Sequence, residues 1–338
     1  MNKSSSPFKV GLIGAGPMGR KRADAVRSSS QSALSLVADV DEGRARMVAS
    51  ESKCPHSTRW QDVVARDDIS VVIVSLPTYL LAPVTIAALQ AGKHVLCEKP
   101  MARTAEEAQR MVEAARASGV TLKIGYNLRY HPAIWKAHQS LGALGELLFA
   151  RCRYGHGGRP GYDKEWRCSP DLSGGGELQD QGVHGIDLFR WFLGDFASAQ
   201  GVVATEFWDI KVDENAFAIL KTAGGQVASL HASWTQWKNH FSLEVFGKDG
   251  YAVVEGLGGS YGVERLTLGK RALQGGPPTE ERFEFPGEDR SCYAEWADFT
   301  SSLREGREPL ATGYDGWQTL RIVNAVYRAA REGKSIAL

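Results

Sequence analysis

The stretch Val10–Val26, VGLIGAGPMGRKRADAV, decides the fold of the N-terminal part of this chain. An apolar run leads into three glycines, Gly14, Gly16 and Gly19, and a helix-forming run follows them. The first glycine permits a tight turn, the second lets the backbone approach a pyrophosphate, and the third allows close helix packing. The helix N-terminus adds N–H groups and a positive dipole. We therefore predict a strand, a phosphate-binding loop and a helix.

An acid follows at the spacing that a dinucleotide site requires. Asp39 ends the second predicted strand, Leu34–Val40, twenty positions after Gly19. Such an acid accepts hydrogen bonds from the adenosine ribose and repels a 2′-phosphate, which favours NAD over NADP. Arg44 and Arg46 follow closely and leave some use of NADP open. Capping of the next helix is the alternative role for Asp39.

The first third of the chain alternates short β-rich runs with helical stretches. The predicted strands are Phe8–Gly14, Leu34–Val40, Val71–Pro77, His94–Pro100 and Leu122–Asn127. This alternation indicates a parallel sheet covered by helices on both faces. We predict a doubly wound α/β domain of the Rossmann type over residues 1–126.

Beyond residue 126 the pattern changes to successive hairpins. Gly224-Gly225 and Lys248-Asp249-Gly250 separate neighbouring β-rich runs as turns. The predicted strands include 145–155, 200–206, 216–222, 227–233, 241–246 and 252–255, with helices near 131–140, 291–304 and 314–332. We predict an α+β domain over residues 127–338 with a mostly antiparallel sheet, its terminal helices packing back on the body.

Bulk composition narrows the class of partner. The chain has 338 residues, 43% of them hydrophobic, and a net charge of +1 with acids and bases interspersed. This distribution produces no positive electrostatic field that would attract nucleic acid or an anionic membrane, so we expect a small-molecule partner. The start, MNKSSSP, is polar and expected to fray, and no run of about 18 apolar residues occurs.

The cysteines and histidines exclude two further classes of site. Five widely spaced cysteines, with no CxxC pair, speak against a disulfide framework and against structural zinc, and fit a cytoplasmic protein. The histidines show no metal-ligand spacing, so we expect no metal.

Two further motifs carry reactive side chains. In GGGELQDQGVHGIDLFRWFLG, Gly174–Gly194, an α-helix at ~100° per residue would place Asp180, His184 and Asp187 within roughly 60° of one another. A solvated surface helix would show the same pattern. In CEKP, Lys99 follows a predicted strand at the sheet edge where ligands bind, and Pro100 permits a cis bond that aims the lysine. A surface lysine is the alternative.

A GxGxxG start, then AGKHVLCEKPMA, then SGGGELQDQGVHGIDLFRWFLG together resemble the Gfo/Idh/MocA family, named after glucose-fructose oxidoreductase, inositol dehydrogenase and a rhizopine-catabolism protein. The resemblance runs from Val10 to the final helices. It implies an NAD(P)-dependent oxidoreductase of sugars, cyclitols or nucleotide sugars, with the catalytic lysine at Lys99 and the acid–histidine pair at Asp180 and His184. It also implies an open-faced antiparallel sheet that builds dimers or tetramers, hence a homo-oligomer.

The chemistry of alcohol oxidation independently requires side chains of these types. Oxidation of a secondary alcohol needs a base for the hydroxyl proton, a task that suits His184. A protonated Lys99 would stabilise the developing alkoxide, and Asp180 would bind substrate hydroxyls and help hold the lysine charge. We expect the three to meet at one substrate carbon. Asp187 is expected to be structural.

The expected contact residues form two sets. For the cofactor they are Gly14, Gly16, Pro17, Met18, Gly19, Asp39, Ser75, Pro77, Glu98, Lys99 and Asn127. For the substrate they are Lys99, Arg129, Tyr154, Arg159, Tyr162, Trp166, Arg167, Asp180 and His184. For Arg129, pairing with a core acid is equally open. The cations of the loop 155–170 make an acidic or nucleotide-linked sugar one option.

The function we expect is hydride transfer between nicotinamide and a secondary alcohol or ketone of a sugar, a cyclitol or a sugar derivative. Two alternatives remain: a non-catalytic regulator that senses cofactor or sugar, and an NAD-dependent glycosidase that works by oxidation and elimination.

Overall fold

The computed structural model describes residues 6–338. The expectation of a frayed start falls on residues 1–5 and lies outside them. The chain divides into two compact units. The first contains the residues up to Asn127 together with Cys292–Gln318, and the second contains Leu128–Ser291 and Thr319–Leu338.

The first unit is built on a six-stranded sheet in which every pairing is parallel. Its strands are β1 (Phe8–Ile13), β2 (Ser32–Ala38), β3 (His56–Ser57), β4 (Val71–Val74), β5 (His94–Cys97) and β6 (Leu122–Ile124). They lie in the order β3-β2-β1-β4-β5-β6, the doubly wound order of dinucleotide-binding domains. The predicted Rossmann-type α/β fold is confirmed.

Five helices connect these strands, and a sixth returns from the C-terminal part. They are α1 (Pro17–Arg27), α2 (Glu42–Glu51), α3 (Trp60–Val64), α4 (Thr78–Gln90) and α5 (Ala105–Ser118), with α10 (Ser291–Glu305). Trp296 and Phe299 of α10 are buried against Val10 and Leu12 of the central strand. The indole N–H of Trp296 also donates to the hydroxyl of Ser32, at 2.8 Å. The α10 side chains are therefore part of this unit's core.

The predicted strand ends extend too far toward the carboxyl side. The third was expected to reach Pro77 and the fourth Pro100, but β4 ends at Val74 and β5 at Cys97. The residues beyond are loop residues, which a count of apolar positions does not distinguish from strand. The two-residue β3 and five-residue α3 were not predicted, because segments this short have no periodicity.

The second unit contains a nine-stranded sheet. Its strands are β7 (Leu147–Gly155), β8 (Phe196–Ala204), β9 (Asn215–Thr222), β10 (Val227–Ser233), β11 (His240–Gly247), β12 (Gly250–Glu255), β13 (Glu264–Lys270), β14 (Thr279–Phe285) and β15 (Ile336–Ala337). Their order is β14-β13-β12-β11-β7-β10-β9-β8-β15, and every pairing is antiparallel except that of β7 with β10. The predicted mostly antiparallel sheet is confirmed.

The helices of the second unit include one segment that differs from expectation. They are α6 (Pro132–Gln139), α7 (Leu141–Leu144), α8 (Pro170–Ser173), α9 (Val183–Leu193) and the later part of α11 (Gly313–Glu332). Residues Leu178–Gly182, ahead of α9, form a π-helical turn. A single α-helix was therefore the wrong prediction for this stretch, and the spacing of ~100° per residue does not apply across Asp180.

Two chain-wide features complete the description. Within residues 6–338, no helix combines the length and the apolar character needed to cross a bilayer. The five cysteines are free thiols.

Candidate active site

The start of α1 has the properties of an anion-binding site. Gly16 precedes the helix in an extended conformation, no side chain caps the first turn, and no acid lies within it. By contrast, Asp41 caps α2 and Thr104 caps α5 through side-chain hydrogen bonds. The α1 N–H groups are therefore available to a pyrophosphate. The residues present fit the cofactor that the sequence predicts.

The three glycines of this loop are needed for different reasons. Gly14 has a φ of +95°, and a Cβ there would lie 2.0 Å from the carbonyl oxygen of Ser75. A Cβ on Gly19 would lie 1.9 Å from the carbonyl oxygen of Gly14. A Cβ on Gly16 would meet nothing within 4 Å. Gly14 and Gly19 are thus required by the fold, whereas Gly16 leaves open space beside the helix start.

A matched pair of variants separates these roles. Gly19→Ala is expected to lower the free energy of unfolding by about 1–3 kcal/mol, because the added methyl overlaps backbone. Gly16→Ala is expected to leave stability unchanged and to raise the NAD dissociation constant about tenfold, or about 1.4 kcal/mol. Denaturant titration and calorimetry measure the two quantities. Equal loss of stability in both variants would contradict this assignment.

Asp39 lies against the phosphate loop. One carboxylate oxygen accepts from the backbone N–H of Ala15 at 2.8 Å, and the other accepts from that of Asp41 at 2.9 Å. The helix cap is Asp41, which accepts from the N–H of Arg44, so Asp39 does not have the alternative capping role. The guanidinium of Arg44 lies 3.3 Å from the Asp39 carboxylate.

The other predicted cofactor residues lie in the loops that follow the parallel strands. Pro17 and Met18 open α1, Ser75 and Pro77 follow β4, and Asn127 begins a 3₁₀ turn after β6. The N–H of Ser75 donates to the carbonyl of Ile13 at 2.8 Å, which ties this loop to β1. Ligands of doubly wound folds bind at this carboxyl edge of the sheet. The contacts themselves remain predictions.

Lys99 is half-buried and lies two residues after the end of β5, with a cis bond to Pro100. Its neighbour Glu98 is buried and accepts from Nε of Arg22 at 2.6 Å. Arg22 also donates to Glu295, and Nζ of Lys123 lies 3.4 Å from the Glu295 carboxylate. The two acids balance the two bases in this buried network.

The second unit contributes the acid–histidine segment. Asp180 belongs to the π turn with its side chain 22% exposed, and His184 belongs to the first turn of α9 and is 5% exposed. The ring of Tyr154, at the end of β7, lies 6.1 Å from the His184 ring. Single-turn π segments occur frequently at functional sites.

Three tyrosines surround the acids of this segment and remain protonated. Burial raises the pKa of Tyr154 well above its ordinary value, and Tyr261 and the carboxylates of Glu177 and Asp180 raise it further. Burial and the same carboxylates also raise the pKa values of Tyr162 and Tyr261. These phenols can donate hydrogen bonds but do not ionise near neutral pH, so none of them is a base.

Arg129 and Asp187 form a buried ion pair. The guanidinium donates from Nε at 2.9 Å and from Nη2 at 2.6 Å to the two carboxylate oxygens, and both side chains are almost wholly buried. The sequence left two roles open for Arg129, and the structure shows it paired with an acid in the core. Asp187, which was expected to be structural, is that acid.

The loop before the π turn contains both charges and aromatic rings. Glu165 accepts from Arg159 and lies 3.3 Å from Arg167, whose Nε lies 3.5 Å from the Asp180 carboxylate. Arg167 also stacks 4.6 Å above the ring of Trp166. Acids therefore offset both arginines of this loop.

Tyr162 is buried in a small cluster with Cys168, Val212 and Trp234. Its ring meets that of Trp234 edge-on at 5.0 Å. Packing alone thus explains much of the need for this aromatic residue.

Sequence reasoning missed several residues that build this segment. Glu177 is fully buried beside the tyrosines, and Gln181 donates to the hydroxyl of Tyr261 at 3.2 Å. Asp213 and Tyr327 contact the glycines before the π turn. Glu177 and Gln181 lie within the motif Gly174–Gly194. An acid directly after three glycines could have marked Glu177 as a candidate site residue. Asp213 and Tyr327 gave no local signal.

Comparison with known proteins assigns the family. Residues 8–126 match the model of an oxidoreductase family described as an NAD-binding Rossmann fold, and residues 136–253 match that of the GFO/IDH/MocA C-terminal domain. The chain is 26% identical to levoglucosan dehydrogenase of Pseudarthrobacter phenanthrenivorans, covering 96% of each chain. It is 28% identical to 1,5-anhydro-D-fructose reductase of Ensifer adhaerens, covering 96% of this chain and 97% of the relative.

A solved structure shows the same fold. Levoglucosan dehydrogenase in complex with NADH and L-sorbose superposes with a TM-score of 0.90 at 24% identity, covering 98% of each chain. The Rossmann unit, the mostly antiparallel sheet and both family matches agree. The chain belongs to the Gfo/Idh/MocA family of oxidoreductases.

Proposed function

We propose that this protein oxidises a secondary alcohol of a neutral sugar or cyclitol with NAD, or reduces the corresponding ketone, and that Lys99, Asp180 and His184 are its catalytic residues. The observation that carries the proposal is the buried imidazole of His184, which lies in the first turn of α9, directly after the π turn and near tyrosines that stay protonated. The uncapped phosphate loop and Asp39 support the cofactor assignment.

The catalytic roles follow from the side-chain chemistry. When bound, NAD supplies the hydride acceptor. His184 accepts the proton of the reacting hydroxyl, since the neighbouring phenols cannot. The Lys99 ammonium stabilises the negative charge that develops on that oxygen. Asp180 accepts hydrogen bonds from other substrate hydroxyls and orients the ring.

Charge balance favours a neutral substrate. Arg159 and Arg167 would be the binding groups for a carboxylate or phosphate, but Glu165 and Asp180 already offset them. An anionic sugar would have to displace these acids. We therefore propose a neutral polyol over the acidic or nucleotide-linked option. Trp166 and Tyr154 remain candidates for contact with the sugar, and Arg129 is a structural residue by this proposal.

Cofactor choice gives a direct prediction. Asp39→Ser removes the carboxylate that repels a 2′-phosphate. Arg44, whose guanidinium lies 3.3 Å from that carboxylate in the wild-type protein, is then available to bind the 2′-phosphate of NADP. The ratio of kcat/KM for NAD over NADP is expected to fall by about two orders of magnitude, or about 2.7 kcal/mol. Initial rates with each cofactor measure it. An unchanged ratio would remove Asp39 from the cofactor site.

Activity on a substrate panel tests the proposal as a whole. NADH absorbance is followed with neutral sugars, cyclitols, anhydro sugars and uronic acids. We expect turnover of at least one neutral compound and weaker turnover of the matching uronic acid. NAD binding without turnover of any compound would favour the regulator. Cleavage of a nitrophenyl glycoside without net NADH would favour the glycosidase. The relatives named above are a dehydrogenase and a reductase, which favours redox turnover.

We also propose a homo-oligomer built on the outer face of the large sheet. Along β9, Ala218 and Leu220 are buried, whereas Phe217 and Ile219 are 47% and 46% exposed. A second copy would cover this apolar surface. Light scattering on the purified protein tests it, and a monomer would contradict it.

The free thiols support the expected cytoplasmic location.

A further inference from the structure

Asp213 holds the chain where the catalytic segment begins. It lies between β8 and β9 and is buried. One carboxylate oxygen accepts from the N–H of Gly176 at 2.9 Å, and the other accepts from that of Leu178 at 2.9 Å. The backbone carbonyl of Asp213 accepts from the N–H of Glu177 at 2.8 Å. One residue thus satisfies three successive amides that have no partner within a helix.

Tyr327 of α11 completes this contact. Its hydroxyl donates to the Asp213 carboxylate at 2.6 Å and accepts from the N–H of Gly176 at 3.2 Å. Burial raises the pKa of Tyr327 well above its ordinary value, so the hydroxyl keeps the proton that it donates. Tyr327 therefore fixes the orientation of the Asp213 carboxylate and also binds the backbone amide of Gly176.

The glycines before the π turn permit this close approach. A Cβ on Gly176 would lie 1.9 Å from the carbonyl oxygen of Asp213, and a Cβ on Gly175 would lie 2.4 Å from the Tyr327 hydroxyl. The structure shows that Gly175 makes room for the side chain of Tyr327 and that Gly176 makes room for the backbone of Asp213.

We propose that Asp213 and Tyr327 are positioning residues, which fix the start of the π turn and thereby the directions of Asp180 and His184. This proposal rests on the proposed function. Asp180 lies two residues beyond the last anchored amide, and its own N–H donates to the carbonyl of Gly176 at 2.9 Å. A shift of the anchored amides is therefore transmitted to Asp180 directly, and to His184 through the following turn.

The test compares Tyr327→Phe and Asp213→Asn with Glu264→Gln. Glu264, in β13, is a matched control because it is also a buried acid that binds the start of a helix: it accepts from the N–H of Ala133 in α6 and pairs with His131. We expect kcat to fall about tenfold in Tyr327→Phe and about a hundredfold in Asp213→Asn, since small misplacements of reacting groups have effects of this size. The KM for NAD should stay within about twofold, and Glu264→Gln should lose stability but keep kcat.

Hydrogen exchange provides a readout that does not depend on turnover. Amides in a peptide covering residues 174–182 should exchange at least about tenfold faster in both variants than in wild type and in Glu264→Gln. The proposal would be overturned if Tyr327→Phe and Asp213→Asn both kept the wild-type kcat and the wild-type rate of amide exchange. It would also be overturned if kcat fell in proportion to the loss of stability in these two variants and in Glu264→Gln alike. If wild type turns over nothing on the panel, the proposed function fails, and exchange alone decides whether Asp213 and Tyr327 anchor the segment.

Discussion

Lys99→Met is expected to lower kcat for alcohol oxidation by about 10²–10³-fold, the usual effect of removing one group that stabilises an oxyanion. Methionine keeps an unbranched side chain of nearly the same length and removes the charge. Because the lysine is half-buried in the loop after β5, the variant is expected to fold normally. The dissociation constant for NAD should change by less than about threefold, since the phosphate loop is intact.

Stopped-flow turnover and calorimetry measure these two quantities. Lys99→Arg serves as the control because it keeps a cation at a different position, and it should recover part of the lost rate. If Lys99→Met retains kcat within about a factor of three of wild type, the ammonium has no catalytic role.

The second large effect is expected for His184→Asn. Asparagine can still form hydrogen bonds but cannot accept the substrate proton, so kcat should fall by about 10²–10⁴-fold. The pH profile should change as well. In wild type, oxidation is expected to slow as the pH falls, because a protonated imidazole cannot accept a proton, and this limb should disappear from the variant.

His138→Asn is the matched control for this variant. His138 is a partly buried histidine of the same unit, stacked on Trp191 at 3.8 Å, and burial lowers its pKa. Its replacement should leave kcat and the pH profile unchanged. A His184→Asn enzyme with a wild-type pH profile would show that another group accepts the proton.

Local sequence patterns predicted the parts of the fold that depend on neighbouring residues. The phosphate loop could be predicted because the close contact that requires Gly19 is a local one, with the carbonyl oxygen of Gly14. The hairpin at Gly224-Gly225 joins β9 and β10, as the turn residues indicated. The strands β13 and β14, at one end of the large sheet, were missed because ERLTLGK and TEERFEF are rich in charge and show little apolar alternation.

The supporting contacts could not be predicted because they join distant positions. Arg22 and Glu295 are 273 positions apart in the chain, and Tyr327 and Asp213 are 114 apart. Neither pair has a periodic pattern that would connect its members. The π turn was missed for a related reason, since the amides at its start bond to Asp213, which lies in another loop far along the chain.

The central claim is that Lys99 and His184 serve the same transition state. A double-mutant cycle with Lys99→Met, His184→Asn and the combined variant, measured as kcat/KM on one substrate, tests it most directly. Residues that act as a unit show strongly non-additive losses, so the double variant should be no more than about tenfold slower than the slower single variant. If its loss equals the product of the two single losses, the residues act independently and the claim is contradicted.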